Sequence, residues 1–105
     1  MFNPFVSIIV RTKNEDFWIG KCLNEIFNQR YQNFEVILVD NNSKDKTINI
    51  VKKNFPKVKI INYKSKNFLP GKSLNLGIKK SKGNLIAMIS GHCIPKNDKW
   101  LKNLV

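Results

Sequence analysis

The sequence predicts an α/β fold, a three-layer sandwich around a mainly parallel four-stranded sheet, and two observations predict it. Short apolar runs alternate with segments of helical periodicity along the chain, and that alternation calls for parallel pairing through right-handed crossovers. In addition, two of the apolar runs break off at polar clusters. Val6-Ser7-Ile8-Ile9-Val10 runs into Arg11-Thr12-Lys13-Asn14-Glu15, and Val36-Ile37-Leu38-Val39 runs into Asp40-Asn41-Asn42-Ser43. Buried parallel strands are almost continuously apolar, and ligands of open α/β sheets sit just beyond strand carboxyl ends. Asp40 at such an end is placed to accept hydrogen bonds from a ribose or a base. The same Asp-Asn-Asn-Ser run is also good turn chemistry.

The elements follow in order. Residues 5–11 read as the first strand. Ile19, Cys22, Leu23, Ile26 and Phe27 then recur at helical spacing, with Asp16 near the start where a carboxylate suits the helix dipole. Residues 35–40 are the second strand. Ser43 reads as the N-cap of a helix whose stripe is Thr47, Ile48, Val51 and Phe55, ended by Pro56, with Asp45 in its first turn. Val58 to Tyr63 alternates more and reads as a strand near an edge. Pro70-Gly71 opens a third helix with Leu74, Leu76 and Ile78 inward, closed by Lys82-Gly83 as a glycine stop. Leu85 to Ile89 is the fourth strand. A last helical pattern begins near Asp98 and carries Trp100, Leu101 and Leu104.

Length and composition bound the reading. The 105 residues suffice for one small domain with a single core. The formal net charge of +12 suits an anionic partner such as a nucleotide, a nucleic acid or a membrane surface. Joint enrichment in Lys, Asn and Ile is equally what an AT-rich genome produces, and the lysines are scattered. Few aromatics interleave with them and no RNA- or DNA-binding signature appears, so no nucleic-acid partner is expected. Cys22 and Cys93 form neither CxxC nor a zinc spacing, and His92 is the only histidine. With no signal peptide and no apolar run near ~18 residues, a cytoplasmic location is expected, peripheral to the inner face of a membrane at most.

Other nucleotide signatures are excluded by their spacing. No GxGxxG follows the first strand. Gly71-Lys72-Ser73 resembles the end of a P-loop, but the upstream glycine would fall at Lys66, and Asn67-Phe68-Leu69-Pro70 is too bulky to wrap a phosphate.

The runs Val6 to Glu15 and Val39-Asp40-Asn41-Asn42-Ser43-Lys44-Asp45-Lys46-Thr47 together resemble the opening of family 2 glycosyltransferases. That family usually shows Pro-Thr-x-Asn-Glu after one strand and Val-Asp-Asp-Gly-Ser-x-Asp-x-Thr after the next. Gly71-Lys72-Ser73-Leu74-Asn75-Leu76-Gly77-Ile78 resembles its Asn-x-Gly-Ile helix, and Gly83 to Ile89 the strand that delivers its Asp-x-Asp. The motifs occur in the right order over nearly the whole chain.

The resemblance implies a GT-A, Rossmann-like half with strand order 3-2-1-4 and a UDP-, GDP- or dTDP-linked sugar donor. It also implies inverting transfer to a glycan or lipid-linked acceptor, as in polysaccharide biosynthesis. Thr12, Asn14 and Glu15 would line the base and ribose pocket with Asp40 and Asn42, while Lys72 and Asn75 would approach from the third helix. Arg11 stands where the family usually has Pro, and Asn42 where it has Gly, a swap that Asn tolerates because it visits left-handed conformations.

The largest departure is that Ser90-Gly91-His92 aligns with the Asp-x-Asp. Those carboxylates hold Mg²⁺ or Mn²⁺ against the donor diphosphate. Ser90 offers a neutral oxygen and His92 an imidazole that suits Mn²⁺ better than Mg²⁺. If the strand continued, Ser90 and His92 would face one way and Cys93 the other. His92 therefore has three readings: a metal ligand, a direct donor to phosphate, or a bystander. Lys66, Lys72 or Arg11 would supply counter-charge.

The family's catalytic base lies beyond the fourth strand, so residues 1–105 are expected to be the donor-binding portion alone, with no catalytic residue and no turnover of their own. An exposed edge or face would then favour a homo-oligomer. The alternatives are a non-catalytic nucleotide-sugar-binding module and, on charge alone, a nucleic-acid-binding domain.

Overall fold

The computed structural model describes residues 3–64 and 70–105, the side chains of 70–74 excepted. Strands β1 (Val6–Thr12), β2 (Phe34–Asp40), β3 (Lys59–Asn62) and β4 (Leu85–Ser90) alternate with helices α1 (Ile19–Phe27), α2 (Thr47–Asn54), α3 (Pro70–Lys80) and α4 (Trp100–Leu104). The four strands form one sheet in the order β3-β2-β1-β4, and every described pairing is parallel. The expected order and the parallel pairing are both observed. Each strand keeps its expected place within about a residue of the sequence reading, the usual slack at element ends.

Strand alternation divides the core between two faces. Val6, Ile8 and Val10 of β1, with Val36 and Leu38 of β2, pack against Ile19, Cys22, Leu23 and Ile26 of α1, Val51 of α2 and Leu101 of α4. Ile9, Ile37 and Val39 face the other way with Ile61 and Tyr63. There α3 packs on β1 and β2. Helices thus cover both sides of the sheet, giving the expected three layers. Buried Gln29 docks α4: its Nε2 donates to the Asn97 carbonyl at 2.8 Å and its Oε1 accepts the Leu101 N–H at 3.0 Å.

Several local expectations are corrected. α2 begins at Thr47, so Ser43 is not its N-cap; Asp45 Oδ1 accepts the Thr47 N–H at 3.0 Å instead. Asp16 precedes α1 without serving its dipole, because its carboxylate accepts the Lys46 N–H of the neighbouring loop. Ile78 is exposed; Gly77 is the residue pressed on the sheet, where a Cβ would lie 2.7 Å from Ile9. Gly83 has no left-handed φ, so it is no helix stop of that kind. It is small because a Cβ would sit 2.5 Å from the Ser7 backbone nitrogen, and its own N–H donates to Ser7 Oγ at 2.8 Å. α4 starts at Trp100 rather than near Asp98, whose carboxylate pairs with Arg30 at 2.8 Å.

At the strands' amino ends Glu35 gathers three donors: Ser7 Oγ at 2.6 Å, the Lys82 N–H at 2.7 Å and Lys59 Nζ at 2.9 Å. Burial pushes its carboxyl up, but these hydrogen bonds and the Lys59 charge outweigh that and hold it below the ordinary 4.5. A depressed carboxyl stabilises the fold above its unfolded pKa, and this is lost as pH falls through the folded value. Glu35→Gln should therefore flatten the acid limb of stability below about pH 4.5, as read by urea midpoints across pH.

Candidate functional site

The site lies where β1 and β2 end. Their register pairs Thr12 with Asp40, so two chemically matched side chains leave the sheet together. Thr12 Oγ1 donates to Asp40 Oδ1 at 2.6 Å, and both residues are buried. The Asp40 carboxylate also accepts the Ser43 hydroxyl at 2.6 Å and the Ser43 N–H at 2.9 Å. Asp40 thus holds the loop that follows it, and its carboxylate is turned inward.

The loops after β1 and β2 are knitted to each other. The Asn14 N–H donates to Ser43 Oγ at 2.8 Å, and the Lys44 N–H returns to Asn14 Oδ1 at 2.7 Å. The Glu15 N–H donates to Thr47 Oγ1 at 2.9 Å, and the Asp16 N–H to Asp45 Oδ2 at 3.0 Å. Asn14 and Asn42 both take φ of 52°, a left-handed turn that asparagine accepts. That matches the expectation for Asn42, which is exposed.

The third strand end joins across β1. The Gly91 N–H donates to the Arg11 carbonyl at 2.8 Å, and a Cβ at Gly91 would lie 2.6 Å from Thr12 Cγ2. β4 ends at Ser90, and the Cys93 N–H turns back to the Ser90 carbonyl at 2.9 Å. The chain therefore does not continue extended to His92 and Cys93. The turn still sets His92 Nδ1 3.0 Å from Ser90 Oγ and 3.0 Å from Glu15 Oε2. Cys22 is buried nearby, and burial foremost, then Cys93 and Glu15, push its thiol up to about 12, so it stays protonated.

Asn75 is brought close to this end of the sheet. It lines a cavity of about 250 Å³ with Tyr63, Leu76 and Lys79, and the Tyr63 N–H donates to the Asp40 carbonyl at 2.7 Å. Lys72 falls on α3 with its side chain outside the described residues, and Lys66 lies outside them altogether. Sequence reasoning passed over Tyr63, although it follows a third strand end and the rule that singled out Asp40 applies to it. A second cavity, about 300 Å³ lined by Phe27, Asn54, Phe55, Pro56 and Lys57, lies at the carboxyl ends of α1 and α2, far from this chemistry.

A resident divalent cation does not fit the donor set. Among the described residues no group of three or more His, Cys, Asp or Glu side chains converges. Glu15 is the carboxylate beside His92, and the pair is already hydrogen-bonded; Asp40 is held by Thr12 and Ser43. Hard cations take six or more oxygens, with carboxylates supplying the charge.

A parallel sheet covered on both faces, with polar loops knitted beyond its carboxyl ends, defines the open α/β class, whose ligands bind outside those strand ends. The chain belongs to glycosyl transferase family 2, whose model matches residues 7–105. It is 38% identical over 106 residues to a dolichyl N-acetyl-alpha-D-glucosaminyl phosphate 3-beta-D-2,3-diacetamido-2,3-dideoxy-beta-D-glucuronosyltransferase of Methanococcus voltae, covering 94% of this chain and 32% of that protein. In structure it is similar to the mannosyltransferase PcManGT of Pyrobaculum calidifontis, in complex with GDP-Man and Mn²⁺, at a TM-score of 0.88. That likeness covers 98% of this chain and 32% of the other at 23% identity, and it shows the GT-A type of fold. S. aureus TarS 1-349 in complex with UDP-GlcNAc matches at a TM-score of 0.84 and 30% identity, over 94% of this chain and 29% of that one. The chain thus spans about a third of the length of these relatives.

Removal of the Asp40 carboxylate should be felt without any ligand. Asp40→Ala strands two hydroxyls and an N–H in a sheltered place, a loss of about 1–3 kcal/mol. Asp40→Asn, which keeps an acceptor oxygen, should lose less. Urea midpoints at constant m value measure both.

Proposed function

We propose that this chain is the donor-binding portion of a glycosyltransferase that moves a sugar from a nucleotide-diphospho-sugar to a glycan or lipid-linked acceptor. One observation carries the reading. In the order β3-β2-β1-β4 the chain steps outward from β1 to β3 and then returns to the far side of β1 as β4. The crevice between the carboxyl ends of β1 and β4 is therefore the topological switch point, where open α/β sheets bind ligands. Glu15, after β1, and His92, after β4, meet across that crevice at 3.0 Å.

In this reading the base and ribose lie over the loops of Thr12, Asn14, Asp40 and Asn42, and the diphosphate extends toward Ser90 and His92. Asn75 flanks it from α3, the helix that also carries Lys72. TarS in complex with UDP-GlcNAc supports a nucleotide-sugar ligand. A divalent cation, where one takes part, would be held mainly by the donor's own phosphates. The acceptor site and the catalytic base belong to the part of such enzymes that the chain does not span, and inverting stereochemistry is an expectation for the whole enzyme.

No helix among the described residues is long and apolar enough to cross a membrane. A lipid-linked acceptor, such as the name of the Methanococcus voltae relative indicates for that protein, would be met from the bilayer surface. The net charge of +12 suits an anionic one.

Calorimetric titration with UDP, GDP and dTDP tests the donor site. One of the three should bind and raise the melting temperature as ligand saturates; silence from all three overturns the reading. Self-association is a separate consequence. β4 is an edge strand with Leu85, Ile86 and Met88 exposed, so light scattering should show a mass that grows with concentration. A monodisperse monomer at high concentration counts against it.

A further inference from the structure

We propose that the donor diphosphate is contacted directly by the imidazole of His92, that Glu15 is the positioning residue for that ring, and that nucleotide binding needs no divalent cation. This rests on the donor-site reading above and says how that site treats phosphate.

Glu15 is built as a support. Its N–H is held by Thr47 Oγ1 at 2.9 Å, and its carbonyl accepts the N–H groups of Trp18 and Ile19 at 3.0 and 2.8 Å. Both sides of its backbone are thereby fixed by the start of α1 and by α2. Its side chain is 19% exposed, whereas that of His92 is 58% exposed. The carboxylate is sheltered and the ring is presented.

Proton bookkeeping then assigns the ring. A carboxylate only accepts, so the close Glu15 Oε2 places a hydrogen on His92 Nδ1, with Ser90 Oγ sharing it. Among the described residues Nε2 has no hydrogen-bond partner. A phosphate oxygen also only accepts, so phosphate on Nε2 requires a hydrogen there too. The bound ring is an imidazolium, stabilised by a carboxylate on one side and phosphate on the other, a charge-assisted pair at each nitrogen.

The neighbouring substitutions point the same way. Relative to the family pattern, the carboxylates of the Asp-x-Asp become Ser90 and His92, and a proline becomes Arg11. Arg11 and Ser90 are partners in the β1–β4 register, so these departures arrive side by side. Arg11 Nε is buried and, among the described residues, unpaired. Two carboxylates that hold a cation have been exchanged for a hydroxyl and an imidazole, groups that can donate to phosphate, with the Arg11 guanidinium in the adjacent strand. The same Glu15 support would suit Nε2 as a metal ligand, but the carboxylates that a hard cation needs beside it are gone.

The test is calorimetric titration of the whole 105-residue chain with UDP, GDP and dTDP and with the matching nucleosides, first in EDTA and then with Mn²⁺ or Mg²⁺. The preferred diphosphate should bind in EDTA within about threefold of its affinity in Mn²⁺. His92→Ala and His92→Gln should each weaken the diphosphate about tenfold and leave the nucleoside unchanged. His92 is the only histidine, so its ¹⁵N resonances are assigned without ambiguity. Both nitrogens should be protonated in the bound chain, and Glu15→Gln should shift the ring toward a neutral tautomer. A gain of about tenfold or more on adding Mn²⁺ overturns the proposal, as do His92 variants that bind like the native chain. If nucleoside and diphosphate bind alike, the donor site stands and this inference fails; if neither binds, both fall.

Discussion

The Asp40 carboxylate holds the site end of this molecule together. It closes β2, takes the Thr12 hydroxyl from the end of β1, and takes the hydroxyl and N–H of Ser43 from the loop beyond. Ser43 in turn holds Asn14, and Asn14 holds Lys44. Two loops that would each be mobile alone are thereby fixed to one another and to the sheet. Fixed loops lower the ordering cost of ligand binding, which is how pre-organisation gains affinity. Asp40 serves the ligand first by shaping the floor of the site.

The sheet order decides where that floor opens. With α1 on one face after β1, and α3 on the other face before β4, the ends of β1 and β4 lie where the two connections part to opposite faces of the sheet. The gap is narrowed from below by Gly91, whose lack of a Cβ lets the turn after β4 lie against Thr12. A bulkier residue there would lift His92 away from Glu15. The contact across the crevice thus depends on a glycine, a register and a carboxylate whose backbone is held on both sides.

Most of the fold was legible because its signals are local or periodic. Apolar runs marked the strands, helical stripes marked α1 and α2, and Asn42 announced a left-handed turn. The misses share one physical cause: a polar side chain declares its chemistry in sequence but not its partner. Ser43 is good cap chemistry, yet it is drawn to Asp40 and Asn14, and Asp45 accepts the Thr47 N–H instead. Asp16 suits a helix start but serves the next loop. Gly83 was legible as a glycine that matters, not as one pressed against the Ser7 backbone from 76 residues away. Tyr63 escapes notice in the sequence because β3 ends in an alternating pattern rather than the sharp apolar-to-polar break that marks Asp40.

The same cause limits what resemblance alone can transfer. Aligned motif residues are equal on paper, but here they divide into those consumed by the fold and those presented to solvent. Thr12, Asp40, Ser43, Asp45 and Thr47 are bonded to each other or to the loops. Asn42, Asn75 and His92 are exposed, and Glu15 stands between the groups as the support of one of them. Of the chain's seven acidic residues, Glu15, Asp16, Asp40 and Asp45 lie in this region, and each accepts a hydrogen bond from a protein donor or lies beside His92. Their negative charge is engaged locally, in a chain whose remaining surface is strongly basic. A site whose carboxylates are all occupied by the protein's own donors is one that an anionic ligand can approach.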